Sequence, residues 1–111
     1  VMHQGERLPL VTETTAMPDV LLTMTEKRLG MTGVVNAAGE LVGIITDGDL
    51  RRHARNLVFG TARDVMTHNP RTIPRTAMVP EALELMNTHR ITVLFVVEDH
   101  APLVPVGAVQ I

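Results

Sequence analysis

The sequence predicts a mixed α/β chain made of two copies of one β-α-β-β-α unit. Two observations carry this prediction. The chain matches itself over most of its 111 residues, and in each copy a helix pattern is followed by two β-branched runs with a turn between them. We place the first copy at residues 1–60 and the second, truncated copy at residues 61–111.

The internal match keeps its order along the chain. At an offset of 62 residues, the paired positions of like chemistry are Pro18 with Pro80, Asp19 with Glu81, Leu21 with Leu83, Met24 with Met86, Val34 with Val96 and Val35 with Val97. Small insertions then shift the offset, so that residues 1–2 match residues 65–66 and residues 42–43 match residues 106–107. The second copy stops at Ile111, where its last helix should begin, so we expect that helix to be missing.

Each copy has its own helix and hairpin signals. Pro18 and Pro80 are each followed by an acid, and proline with an acid suits the first turn of a helix. Apolar residues then recur at helical spacing, as at Val20 and Met24, which predicts one buried face. Residues 33–35 and 41–45 predict two strands of a hairpin across the turn at residues 36–40. Residues 93–97 and 104–109 predict the same hairpin in the second copy.

Composition narrows the possible functions. The net charge is −2 and only two residues, Phe59 and Phe95, are aromatic, so both the basic surface and the stacking platforms of a nucleic-acid binder are missing. Cysteine is absent, which excludes disulfides and thiolate sites and fits a reducing cytoplasm. The longest apolar runs are too short to span a membrane. We expect one soluble, cytoplasmic, cooperative folding unit.

The stretch Gly-Ile-Ile-Thr-Asp-Gly-Asp-Leu at residues 43–50 is the most informative part of the sequence. It brings the Thr46 hydroxyl and the carboxylates of Asp47 and Asp49 to one strand-to-helix junction, with Arg51 and Arg52 one turn further on. Free N–H groups of a first helical turn attract anions, a hydroxyl can donate to phosphate, and a carboxylate can accept from ribose hydroxyls. The pattern therefore indicates a site for phosphate and sugar.

The same residues also permit a purely structural interpretation. We expect a helix over residues 50–55 with Asp47 as its N-cap, and in that case Asp49 would only complement the helix dipole and Thr46 would only end a strand. Under the binding hypothesis, Asp47 still caps the helix and Asp49 acts mainly on the ligand.

Metal binding and covalent catalysis find little support. The five histidines form no pair at helical spacing, and they are His3, His53, His68, His89 and His100. Asp47 and Asp49 resemble the start of a calcium loop, but Arg51 and Val58 stand where that loop needs oxygen ligands. Serine and cysteine are both absent, and no histidine stands beside a suitable threonine. We therefore expect no metal site and no catalytic residue in this chain.

The repeated unit and its GIITDGDL string resemble the CBS domain pair, or Bateman module, whose glycine-hydrophobic-hydrophobic-Ser/Thr-x-x-Asp motif binds nucleotides. The resemblance covers nearly the whole chain. It implies that the two copies pack pseudo-symmetrically through their sheets, that Thr46 faces phosphate and that Asp49 faces the ribose hydroxyls. It implies one site only, because Gln110 occupies the Ser/Thr position of the second copy and the Asp position is absent.

A narrower resemblance rests on the strings VMHQGERLPLV, LGMTGVV and GELVGIITDGDLRR, which are similar to the C-terminal CBS pair of bacterial arabinose 5-phosphate isomerases. That family interconverts ribulose 5-phosphate and arabinose 5-phosphate for the lipopolysaccharide sugar Kdo. The resemblance implies a regulatory module, linked to a sugar isomerase domain absent here, that senses AMP, ATP or CMP-Kdo and associates as a homodimer. The alternatives are a scaffold without ligand and the CBS pair of another enzyme or transporter.

Overall fold

The computed structural model describes residues 2–4, 8–27, 30–77, 79–91, 93–98 and 104–110. The strands in these ranges are β1 Met2–Gln4, β2 Leu10–Thr12, β3 Met31–Val35, β4 Leu41–Thr46, β5 Thr67–His68, β6 Thr72–Pro74, β7 Val93–Val97 and β8 Pro105–Gln110. The helices are α1 Met17–Lys27, α2 Asp47–Arg52, α3 Ala62–Val65 and α4 Val79–His89, with a 3-10 helix at Ala54–Asn56. The predicted mixed α/β class is confirmed.

One compact unit comprises Pro9–Pro70. Its sheet has the order β2-β3-β4-β5, in which β2 and β3 are parallel and the other two pairs are antiparallel. The buried side chains of its core are Val11, Met17, Val20, Met24, Val34, Ile45, Ala62, Val65 and Met66. Helix α1 contributes one face to this core, as the apolar spacing predicts.

The other compact unit comprises Val1–Leu8 together with Arg71–Ile111. Its sheet has the order β1-β8-β7-β6, with β6 parallel to β7 and with antiparallel pairing of β7 to β8 and of β8 to β1. The buried side chains of its core are Ile73, Ala82, Met86, Leu94 and Val96. This unit is therefore built from both ends of the chain.

The pairing registers repeat between the two sheets. The β3–β4 hairpin has an irregularity between Val34 and Val35, and the β7–β8 hairpin has one between Val96 and Val97. Gly43 pairs with His68 in one sheet and Gly107 pairs with Gln4 in the other. Strand β1 thus has the place in its sheet that β5 has in the other. The internal alignment from the sequence is confirmed, while pseudo-symmetric packing of the two copies stays a prediction.

The observed starts of two helices agree with those predicted from the sequence, and the start of a third differs. Pro18 and Pro80 are the second residues of α1 and α4, as expected for helix starts. Helix α2 begins at Asp47 rather than Leu50, because its first turn is closed by residues of the motif itself. The repeat boundary at residue 60 remains a prediction. The structural unit around β4 extends to Pro70 because β5 pairs with β4.

Candidate functional site

The junction between β4 and α2 is closed by a capping box. Thr46 has extended backbone angles and is the N-cap of α2. Its N–H donates to Oδ2 of Asp49 over 2.9 Å, and the N–H of Asp49 donates to Thr46 Oγ1 over 3.4 Å. The two residues thus satisfy free donors at the start of the helix reciprocally. The sequence-based expectation that Asp47 caps this helix is wrong, because β4 ends one residue later than expected and Thr46 takes the cap position.

The Asp49 carboxylate is almost fully buried, with 2% of the residue exposed. Oδ2 also accepts from the Thr46 hydroxyl over 3.2 Å. Oδ1 accepts from Arg52 Nη2 over 2.5 Å and from Thr67 Oγ1 over 2.6 Å. A carboxylate offers about four lone-pair positions. All of them have a donor here.

These contacts keep Asp49 ionised. Burial raises the pKa of the Asp49 carboxyl, because the charged form loses its hydration. Hydrogen bonds from the Thr67 hydroxyl, the Thr46 backbone, the Arg52 guanidinium and the Thr46 hydroxyl lower the pKa, and together they outweigh burial. The net pKa of Asp49 lies below its ordinary value. The site therefore contains a carboxylate anion at neutral pH.

Arg52 folds back over the first turn of its own helix. Its side chain is 62% exposed although its guanidinium is paired with the buried Asp49. A Cβ added to Gly48 would lie 3.2 Å from Arg52 Nη1 and 3.6 Å from Thr46 Oγ1. The absence of a Cβ at Gly48 thus leaves open a space that is bordered by both the Arg52 guanidinium and the Thr46 hydroxyl.

The structure brings together three of the five site residues predicted from sequence. Thr46, Asp49 and Arg52 form one connected hydrogen-bond cluster. Asp47 and Arg51 are both exposed. Neither side chain has a hydrogen bond or ion pair to the part of the chain that the structure describes. They lie on the same short helix without joining the cluster.

Sequence reasoning missed Thr67. Its hydroxyl reaches Asp49 because β5 pairs with β4, with Thr67 opposite Ile44. Gly43 permits this approach, since a Cβ there would lie 2.6 Å from Met66 Sδ and 3.0 Å from the Thr67 carbonyl oxygen. The nearest sequence signal is the match of residues 1–2 to residues 65–66, which ends directly before the short strand on which Thr67 lies.

A second capping pair shows what distinguishes the Asp49 cluster. At the start of α3, Thr61 N–H and Oγ1 donate to Asp64 Oδ2 over 2.9 and 3.2 Å. Asp64 is exposed, and no further donor reaches it from the described residues. Asp49 has the same local geometry but is buried and has two additional donors. Helix capping alone therefore does not account for the Asp49 cluster.

Two other features are missing from the described ranges. No group of three or more histidine, aspartate or glutamate side chains is arranged to hold a metal ion there. No helix there has the length and apolar character needed to cross a bilayer. The Asp49 cluster is the candidate site that the described residues present.

Comparison with known proteins identifies the family of the chain. A family model described as "CBS domain" matches residues 2–56 and again residues 62–109. The arabinose 5-phosphate isomerase KdsD of Pseudomonas aeruginosa is 42% identical over 113 residues, covering 99% of this chain and 34% of that protein. The chain thus spans about a third of the length of this relative.

Solved structures share the fold. The CBS domain of a membrane protein from Sphaerobacter thermophilus has a TM-score of 0.75 and 29% identity, covering 93% of this chain and 77% of that one. CBSX2 from Arabidopsis thaliana, solved in complex with AMP, has a TM-score of 0.84 and 20% identity, covering 98% of this chain and 86% of that one. Since the family model matches twice and covers most of the residues, this chain belongs to the CBS domain family.

Proposed function

We propose that this chain is a regulatory module that binds a nucleotide or nucleotide-sugar at the β4–α2 junction. The observation that carries the proposal is a buried, ionised Asp49 carboxylate beside the Thr46 hydroxyl and the Arg52 guanidinium. A ribose offers two adjacent hydroxyl donors that suit one carboxylate, and a phosphate accepts from hydroxyl and guanidinium groups. Both parts of such a ligand find a matching group within one cluster.

Each site residue has a role in this proposal. Asp49 accepts from the ribose hydroxyls, Thr46 donates to a phosphate oxygen, and Arg51 and Arg52 supply countercharge. Asp47 borders the site at the exposed start of α2. AMP is the first ligand to test, because the CBS-pair structure with a TM-score of 0.84 contains AMP. ATP and CMP-Kdo are the further candidates.

The proposal extends to the parent protein. We infer that the module regulates a cytoplasmic arabinose 5-phosphate isomerase of lipopolysaccharide synthesis and associates as a homodimer. The support is the 42% identity to such an isomerase, in a stretch that covers 34% of it. On this proposal the isomerase chemistry belongs to the remainder of the parent. The purified chain should accordingly give no more arabinose 5-phosphate turnover than a buffer blank, and turnover above the blank would contradict this.

One observation favours a second candidate, a scaffold that binds no ligand. All four acceptor positions of Asp49 already have donors from the protein. The carboxylate could therefore serve only to tie α2 to β5. The two candidates differ in one measurable respect, since only the sensing module gains a ligand at this carboxylate.

Calorimetric titration with AMP, ATP and CMP-Kdo tests the proposal. The wild-type chain should bind at least one of them, and Asp49→Asn should weaken that binding more than about tenfold through loss of charge-assisted hydrogen bonds. Asp64→Asn is the matched control, because Asp64 has the same capping geometry without the buried cluster. Equal affinities of the two variants, or no binding by the wild type at millimolar ligand, would leave the scaffold candidate in place.

A further inference from the structure

The Asp49 carboxylate has no acceptor position to spare. Oδ2 accepts from the N–H and the hydroxyl of Thr46, and Oδ1 accepts from Arg52 and Thr67. A ribose hydroxyl that donates to this carboxylate must therefore displace a donor that is already present. Which donor leaves determines what else the ligand must contain.

Two of the four donors are poorly placed to leave. The Thr46 N–H belongs to the backbone of the helix cap. The Thr46 hydroxyl turns from Asp49 to the phosphate under the proposed function and so frees one acceptor position, whereas the two ribose hydroxyls need two. Thr67 lies on β5, whose backbone is paired with β4. Arg52 differs from these, because its side chain is 62% exposed and reaches Asp49 through a long, flexible stem.

Moving Arg52 away from Asp49 breaks an ion pair with a buried carboxylate. Neutral hydroxyls replace that pair only in part, so the guanidinium must find a second anion to recover the interaction. A phosphate on the ligand is such an anion, and guanidinium binds it through two parallel hydrogen bonds. Arg52 Nη1 lies 3.2 Å and Thr46 Oγ1 lies 3.6 Å from the point that a Cβ on Gly48 would occupy, so both groups border the open space at this glycine. Thr46 Oγ1 is the group assigned to phosphate.

We propose that Arg52 determines the specificity of the site for phosphorylated ribose ligands, by occupying Asp49 until a phosphate draws the guanidinium away. This inference rests on the proposed function. It predicts that an unphosphorylated nucleoside competes with Arg52 without compensation and binds weakly. A nucleoside monophosphate offers Arg52 a phosphate in place of the Asp49 carboxylate, and it therefore binds well.

The test compares AMP with adenosine by calorimetry for the wild-type chain, Arg52→Met and Arg63→Met. The wild type should prefer AMP over adenosine by more than about tenfold. Arg52→Met should bind adenosine more tightly than the wild type and AMP more weakly, so that the preference falls by about tenfold or more. Arg63→Met removes the same charge from an exposed ion pair with Glu13 outside the cluster, and it should keep the wild-type preference.

The outcomes separate this inference from the function on which it rests. If Arg52→Met weakens AMP and adenosine by the same factor, or if Arg63→Met changes the preference equally, the specificity role is overturned while nucleotide binding stands. If neither ligand binds the wild type or any variant, this inference falls, and the proposed function is then decided by the titrations with ATP and CMP-Kdo. Tighter adenosine binding by Arg52→Met supports the inference, because a merely structural ion pair gives no such gain.

Discussion

Asp49 combines a helix cap, an ion pair and a link between two strands of one sheet. The sequence suggested that Asp49 acts mainly on a ligand while Asp47 holds the helix. In the structure, Asp49 and not Asp47 stabilises the start of the helix. Asp49 accepts hydrogen bonds from Thr46, Arg52 and Thr67, whereas Asp47 is exposed. The residue at the centre of the candidate site is therefore also a stabilising residue.

We expect Asp49→Ala to lower the free energy of unfolding by about 2–3 kcal/mol, through loss of the cap and of hydrogen bonds to a charged acceptor. Asp47→Ala should lower it by less than about 0.5 kcal/mol, the usual range for an exposed side chain. Urea denaturation followed by circular dichroism measures both. Equal losses for the two variants would contradict the capping arrangement.

The depressed pKa of Asp49 predicts a pH dependence of stability. A carboxyl whose folded pKa lies below its unfolded value of about 3.9 stabilises the fold fully above that unfolded value. Its contribution is lost as the pH falls through the folded pKa. The stability advantage of wild type over Asp49→Asn should be largest near neutral pH and should shrink below about pH 4. An advantage that stays constant down to about pH 2 would contradict the lowered pKa.

For single residues, the sequence predicts which residues belong to the candidate site better than it predicts which residues they contact. Thr46 and Asp49 stand out because a hydroxyl and a carboxylate three residues apart form one motif. The cap was assigned to Asp47 because threonine and aspartate both cap helices well and only the end of β4 decides between them. The Thr67 contact joins positions 18 residues apart and exists only through β4–β5 pairing, which no local pattern specifies.

The helices α1 and α4 illustrate how much a repeated apolar pattern determines. Met24 and Met86 are equivalent in the sequence alignment, and each is buried in the core of its own unit. The helix starts and the two hairpins follow from proline and β-branched residues in the same way. The strands β1 and β5 carry no such signal, because two or three residues are too few to show a period.

We expect Met24→Ala and Met86→Ala each to cost about 2–5 kcal/mol of stability, as buried large-to-small changes do. Leu22 and Leu83 lie on the same two helices with exposed side chains, so Leu22→Ala and Leu83→Ala are matched controls that should cost less than about 1 kcal/mol. Chemical denaturation of the four variants provides the comparison. Costs as large for the exposed leucines as for the methionines would show that the buried faces are assigned wrongly.

In the whole molecule, the two repeats are less independent than their sequences suggest, because the first strand of each repeat pairs in the sheet of the other. The unit of Arg71–Ile111 includes Val1–Leu8, because β1 completes its sheet beside β8. A boundary at residue 60 assigns β1 to the first copy, whereas β1 pairs with β8 in the sheet of the second copy. Pattern matching finds two copies, but strand pairing decides which segment completes each sheet.

Deleting residues 1–4 tests this connectivity. The deletion removes the antiparallel partner of β8 and should leave its edge open. Amide hydrogen exchange in β8 should then become faster, while exchange in β3 and β4 should stay close to that of the full chain. Unchanged protection of β8 after the deletion would contradict the pairing of β1 with β8.

If a ribonucleotide binds this CBS pair at the β4–α2 junction, the residues of that junction should respond to it. The most direct measurement is heteronuclear NMR of the nitrogen-labelled wild-type chain during titration with AMP, which needs no destabilising substitution. Binding at the junction should give saturable shifts of the backbone amides of Thr46 and Asp49 and of the Arg52 side-chain resonance. Shifts that saturate elsewhere while these signals stay fixed, or no shifts up to millimolar AMP, would contradict it.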